Sequence, residues 1–191
     1  MTAFDRARVE AAVHEILIAI GEDPSRGGLD RTPARVADAY EEFFSGLGVD
    51  AVSMLGDTFA VPEGAEAEPV LVRDIEFRSV CEHHLLPFTG VAHVAYVPSN
   101  RLIGLGRIAS VVDALASRPQ LQERLGDEIA AVIEDGVDAR GVLVVLDAQH
   151  DCVRTRGPRQ TRSSTVTVSS RGTLSQPAER AELMSLIGAT T

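Results

Sequence analysis

A chain of 191 residues, 45% apolar but only 4% aromatic and without Trp, is long enough for one catalytic domain with an appended element. Its core has to be built from Val, Leu, Ile and Ala. A net charge of -10 excludes nucleic acid and anionic membranes as general partners, so an anionic substrate has to be met by a local basic cluster.

The opening Met1-Thr2-Ala3-Phe4-Asp5 has neither a basic nor an apolar targeting region, and no apolar run reaches bilayer length. A soluble, cytoplasmic protein is expected, in which Cys81 and Cys152 stay reduced as buried thiols or metal ligands. Val9, Val13, Ile16, Leu17 and Ile20 recur at helical spacing over residues 5–20 and predict an amphipathic helix ended by Gly21. Thr32 and Pro33 read as the cap and first residue of a second helix, with Val36, Tyr40, Phe43, Phe44 and Leu47 along one face and a stop around Gly46 and Gly48. Residues 53–69 contain Gly56, Pro62, Gly64 and Pro69 among acidic residues, the composition of a mobile connection. The period then changes. Residues 70–77 and 91–97 read as paired strands, separated by a polar loop that begins at Cys81 and ends at Gly90. Ile108, Val111, Val112 and Leu115 begin a helix, and Pro119 is expected to open another, with Leu121, Leu125, Ile129, Val132 and Ile133 buried and Gly136 at its end. Residues 142–146 form a buried strand, 165–169 an alternating one, and 178–187 a short helix after Pro177. Strand, strand, helix, helix, strand, strand is an α+β order. The chain divides into N-terminal helices with their connecting loop, 1–69, and a catalytic part, 70–191.

Cys81-Glu82-His83-His84, at the end of the first strand, offers a thiolate and two imidazoles within one turn, and spacing does not choose between His83 and His84. His150-Asp151-Cys152 follows a buried strand. Residues two apart on an extended chain point the same way, so His150 and Cys152 are expected to share a cavity. Two Cys and one His suit zinc, and a fourth tetrahedral position left for water is the catalytic arrangement. The bland alternative is a pair of core thiols and surface histidines.

Three blocks, Cys81-Glu82-His83-His84-Leu85-Leu86-Pro87-Phe88, Arg118-Pro119-Gln120-Leu121-Gln122-Glu123-Arg124-Leu125 and His150-Asp151-Cys152-Val153-Arg154-Thr155-Arg156-Gly157, resemble signature blocks of the GTP cyclohydrolase I family in order and spacing. With the helix start Thr32-Pro33-Ala34-Arg35-Val36, the resemblance covers nearly the whole chain. It implies zinc held by Cys81, His84 and Cys152, with His150 as acid at a guanine ring nitrogen and His83 as a proton shuttle. It implies hydrolysis of the guanine imidazole ring of GTP, release of formate and reclosure to 7,8-dihydroneopterin triphosphate, the first step toward tetrahydrofolate. Glu123, with Gln122 beside it, corresponds to the group that reads the guanine Watson–Crick edge, and Arg156 to a triphosphate ligand. Arg154, Arg159 and Arg162 complete a basic run, and no role is assigned to Arg159 or Arg162. The implied architecture is a tunnelling fold: a four-stranded antiparallel sheet with two helices on one face, preceded by an N-terminal helical extension. Five subunits close a barrel, and two rings stack into a homo-oligomeric decamer with active sites between subunits.

One segment departs from the family pattern. Where Gly-Leu-Ser-Lys and a later Arg are expected, this chain has Gly104-Leu105-Gly106-Arg107-Ile108-Ala109-Ser110. Arg107 is expected to bind phosphate, but the serine hydroxyl and the later arginine are lost. Two further readings follow: a paralogue acting on a guanine nucleotide with altered phosphate recognition or product in a secondary-metabolite pathway, and a non-catalytic nucleotide-binding ring.

Overall fold

The computed structural model describes residues 4–62 and 68–188. Its first helix, α1 (Arg6–Ala19), is capped by Asp5, which accepts from the Arg8 amide. Gly21, at φ 89°, ends it in the left-handed region that favours glycine, and the Glu22 amide reaches back to Leu17 O. Of the expected apolar stripe, Leu17 is buried, Val9 and Val13 are half-buried, and Ile16 and Ile20 are exposed in the single chain. Helix α2 (Thr32–Phe43) starts one residue earlier than expected. Arg31 occupies the cap, and the Thr32 hydroxyl turns back toward Gly28 O.

Within the expected mobile connection, a 3-10 turn (Val52–Leu55) carries Leu55 into the main core beside Ala51, and β1 (Thr58–Ala60) pairs with β4 (Arg101–Ile103). Residues 63–67 of that connection lie outside the described residues. Strands β2 (Val70–Cys81) and β3 (Pro87–Val97) outrun their apolar stretches, so the expected loop shrinks to residues 82–86. With β6 (Gly141–His150) and β7 (Thr165–Gly172) they form an antiparallel sheet in the order β2-β3-β6-β7. A fifth strand, the two-residue β5 (Pro119–Gln120), joins the β2 edge in parallel, bridging Gln120 to Cys81. Pro119 therefore sits on a sheet edge, where its missing N–H costs nothing, and not at a helix start. Strand β2 carries a bulge: Val72 pairs with Val94 and Ile75 with Ala92, so Arg73 and Asp74 together oppose His93. Asp74 adopts φ 58°, and its amide donates to His93 Nδ1 at 3.2 Å.

Helices α3 (Leu105–Ala116) and α4 (Gln122–Val137) cover one face of the sheet. Ile108, Val111, Leu115, Leu125, Ile129 and Ile133 pack with Phe77, Phe88, Val94, Tyr96, Val144 and Leu146. Each such side chain contributes roughly 1.5–3 kcal/mol on burial. The Tyr96 hydroxyl accepts from the Ile103 amide at 2.8 Å, while burial raises its pKa. Helix α4 runs through Gly136, which was expected to end it. A Cβ there would lie 2.0 Å from Leu55 Cδ1, so glycine admits the neighbouring turn, and Asp138 ends the helix at φ 51°. After β6 the chain makes a single helical turn, α5 (Asp151–Arg154), and after β7 it ends in α6 (Pro177–Gly188). Leu183 of α6 and Leu174 cover Ala95, Val97, Leu143 and Val145 on the opposite face. Among the described residues no helix is long and apolar enough to cross a membrane.

Candidate functional site

Cys81 is the buried last residue of β2, and the chain reverses immediately after it. The Cys81 amide donates to Leu86 O at 2.8 Å, while the amides of His84 and Leu85 donate to Cys81 O at 3.3 and 2.8 Å. Leu85 closes the turn at φ 52°, a conformation that costs an ordinary residue about 1 kcal/mol. The reversal folds His84 over the thiol, with Cys81 Sγ 3.6 Å from His84 Nδ1. The exposed His83 ring stands 6.1 Å from that of His84 and nearly perpendicular to it.

Cys152 arrives from the other side of the sheet's end. Strand β6 stops at His150 and α5 begins at Asp151, so His150 and Cys152 do not share the extended stretch expected from the sequence. A helical turn delivers the second thiol instead. One ligand atom each from Cys81, His84 and Cys152 lie within 4.8 Å of one another. Burial raises the Cys152 pKa, helped by the adjacent Cys81 and partly opposed by a backbone hydrogen bond and the nearby Arg156. Two soft sulfurs and an imidazole at these separations form a donor set that fits zinc, and a bound dication would favour the thiolates that burial disfavours.

His150 lies beside this cluster with its ring stacked on Phe88, centroids 4.6 Å apart and planes 7° from parallel. Its Nε2 is 2.7 Å from Gln122 Oε1. Burial lowers the His150 pKa, and the negative charge of Glu123 partly opposes this. Glu123 is exposed on the first turn of α4, where the helix dipole favours a carboxylate. Gln122, expected beside it facing a base, is 2% exposed, and its amide is turned inward to Leu146 O, Thr165 O and Thr167 Oγ1.

Arg156 is exposed just beyond α5. Arg107 belongs to a different set of elements. It sits on the first turn of α3 and lies against Gly56, where a Cβ would come within 2.9 Å of Arg107 Nε. Ser110 turns its hydroxyl back to Gly106 O at 3.2 Å.

Not anticipated are Phe88, which supports the His150 ring, and a polar chain tying the Cys81 turn to α4. Arg124 donates to the Glu82 carboxylate and, through Nε, to Gln120 Oε1 at 2.7 Å. Gln120, fully buried, donates to Glu128 Oε2 at 2.8 Å, and its carbonyl accepts from the Glu82 amide at 3.1 Å. Phe88, Glu82, Gln120 and Arg124 all fall inside the sequence blocks already singled out, which was the signal available for them.

The sequence profile of the GTP cyclohydrolase I family matches residues 9–188. A curated GTP cyclohydrolase 1 of Leifsonia xyli is 63% identical over 188 residues, covering 98% of each chain. The proteins of that name from Streptomyces griseus and Corynebacterium glutamicum are each 50% identical, over 97% and 96% of this chain and 92% and 94% of their own. Among solved structures, an archaeosine synthase QueF-Like in the apo form aligns with 58% of this chain and 97% of its own, at 16% identity and a TM-score of 0.45. With its antiparallel sheet backed by α3 and α4, a profile match over almost its entire length and these close relatives, the chain has the tunnelling fold and belongs to the GTP cyclohydrolase I family.

Proposed function

We propose that this chain is a zinc-dependent GTP cyclohydrolase I of the cytoplasm, which hydrolyses the guanine imidazole ring of GTP to give formate and 7,8-dihydroneopterin triphosphate, feeding tetrahydrofolate synthesis. The convergence of Cys81, His84 and Cys152 beside His150 and Glu123 carries this reading. Cys81, His84 and Cys152 hold the zinc, which when bound supplies Lewis acidity and makes water a nucleophile at neutral pH. His150 gives a proton to a ring nitrogen of guanine, and the exposed His83 exchanges protons with solvent. The Glu123 carboxylate accepts from the N1–H and exocyclic amino group of guanine, a donor pair that adenine lacks. Arg156 and Arg107 take the triphosphate. Since Arg107 sits on α3 against Gly56, the two arginines meet one substrate when copies of the chain assemble, in this reading as a decamer of two pentameric rings. Residues 1–69 are the extension and 70–191 the catalytic part.

A second reading, a paralogue with altered phosphate recognition or product, is favoured by one observation. At Gly104–Ser110 the serine hydroxyl and the later arginine are missing, and the hydroxyl of Ser110 is already spent on Gly106 O. Incubating zinc-loaded protein with GTP while following formate and pterin fluorescence tests both. Formate with a fluorescent pterin is expected of a GTP cyclohydrolase I. Formate without that pterin favours the paralogue, and GTP binding with neither product would overturn both in favour of a non-catalytic ring.

A further inference from the structure

We propose that Arg124 is a positioning residue that, through Glu82, holds the Cys81–Leu86 turn in the shape that brings His84 to the metal. The inference rests on the reading of Cys81, His84 and Cys152 as the zinc ligands. Of the three, Cys81 is anchored on β2 and Cys152 on α5, but His84 is exposed in the connection 82–86 between β2 and β3. Its neighbour Leu85 stands at φ 52°, and the exposed side chains of His83, His84 and Leu85 gain little from packing. Such a turn opens easily unless something outside it holds it. Glu82 supplies that hold. The turn's remaining hydrogen bonds run between it and Cys81, and among the described residues both bonds that tie residues 82–86 to an element other than β2 belong to Glu82. Its amide donates to Gln120 O at 3.1 Å, and its carboxylate accepts from Arg124 Nη2.

Arg124 is itself fixed. Its Nε donates to Gln120 Oε1 at 2.7 Å, and its Nη2 also donates to Pro119 O at 3.2 Å. The Gln120 amide behind it is fully buried with each hydrogen-bonding position used: Oε1 also accepts from the Leu121 amide at 3.1 Å, and Nε2 donates to Leu115 O at 3.3 Å and to Glu128 Oε2 at 2.8 Å. An amide bound in this way has one orientation, and it offers Arg124 an acceptor. The planar guanidinium then meets the amide oxygen with one nitrogen and the Glu82 carboxylate with another, a fork that a single ammonium does not reproduce. The parallel bridge from Gln120 to Cys81 sets β5 beside the first ligand, so the residue that orients Arg124 also fixes the start of the turn. An exposed ion pair contributes little to stability, and the effect of this one falls on the geometry of the turn. Arg124 contributes no ligand atom; it preorganises His84, which removes an ordering cost from metal binding.

Zinc affinity, measured by competition with a chelating dye, tests this apart from turnover. In Arg124→Met the dissociation constant for zinc is expected to rise about 10–100-fold, the usual effect of losing a group that orients a metal ligand, while the Tm of the metal-free protein stays within about 3 °C, as for other exposed substitutions. Unchanged zinc affinity overturns the proposal, and a fall in Tm beside it would make Arg124 a residue of the fold alone. Glu82→Ala removes the same link from its other end and is expected to weaken zinc binding by a similar factor. Should Arg124→Met fail to fold, unchanged affinity in Glu82→Ala overturns the proposal by itself. In the double variant the loss is expected to be no larger than in the weaker-binding single one, since both remove one contact. Losses that multiply would mean that Arg124 does not act through Glu82, and overturn it as well. Full zinc occupancy in Cys152→Ser would instead bring down the reading of the donor set, whatever the Arg124 variant shows.

Discussion

Cys152 sits half-buried on a one-turn helix, and its sulfur is one of two soft donors in the cluster. Cys152→Ser substitutes a hard hydroxyl that zinc binds poorly, so metal analysis of that variant is expected to find the site empty with the fold retained. Full zinc occupancy would remove Cys152 from the donor set. In the proposed reading, Glu123 acts on the substrate side of the same site. Glu123→Gln replaces an acceptor facing two guanine donors with an amide, and KM for GTP is expected to rise roughly tenfold to a hundredfold, the worth of about 1.5–3 kcal/mol for a hydrogen bond to a charged group. An unchanged KM would take Glu123 out of the base pocket. At this scale the legible residues were the rare ones. Cysteines and histidines stand out in a chain with two and five of them, whereas Gln122, expected beside Glu123 in the base pocket, is turned inward. Its inward turn depends on carbonyls of β6 and β7, at sequence distances that no local pattern records.

Among the elements, the segment after α2 lodges against the end of α3. Gly46 donates its amide to Ser117 O at 2.9 Å, and a Cβ at this position would lie 2.0 Å from Ala114 O. Gly46→Ala is therefore expected to lower stability by about 1–3 kcal/mol, seen as a fall in Tm, by forcing backbone apart rather than by straining the new residue. An unaltered Tm would mean that α2 is not fastened there. The helices and long strands were legible because their periodicity is strong. Pro119 misled because proline suits both a helix start and a sheet edge, and the bridge from Gln120 to Cys81 decides between them. Residues 53–69 read as irregular because Leu55 and β1 owe their order to α4 and to β4, partners remote in sequence.

For the whole molecule, β7 is the outer strand of the sheet and shows solvent two large apolar side chains, Val166 and Val168. In the proposed decamer such an exposed apolar strand would be covered by a neighbouring copy. Val166→Lys combined with Val168→Lys is expected to shift sedimentation toward single chains and to abolish turnover. An intact oligomer would show that β7 is not part of the joint. In the proposed reading, assembly also governs the phosphate tail. A charge-assisted phosphate contact contributes about 1.5–3 kcal/mol, so restoring the family residues with Gly106→Ser, Arg107→Lys and Ser110→Arg is expected to steepen the preference in kcat/KM for GTP over GDP, GMP and guanosine. A strong preference for GTP in the natural chain, unmoved by the triple change, would make the departure neutral.

The bulge in β2 has a consequence beyond its own geometry. Below it the even-numbered residues Val70 and Val72 look toward the helices, and above it the odd-numbered ones do: Ile75, Phe77 and Cys81. Arg73 and Asp74 thus act as a change of phase, converting one parity of the strand into the other. A strand of unbroken alternation that kept Val70 and Val72 inside would present Cys81 to the opposite side of the sheet, away from His84 and Cys152. The donor cluster's composition is written at residues 81, 84 and 152, but the face of the sheet on which Cys81 joins it is set seven residues upstream by one left-handed aspartate whose amide rests on His93.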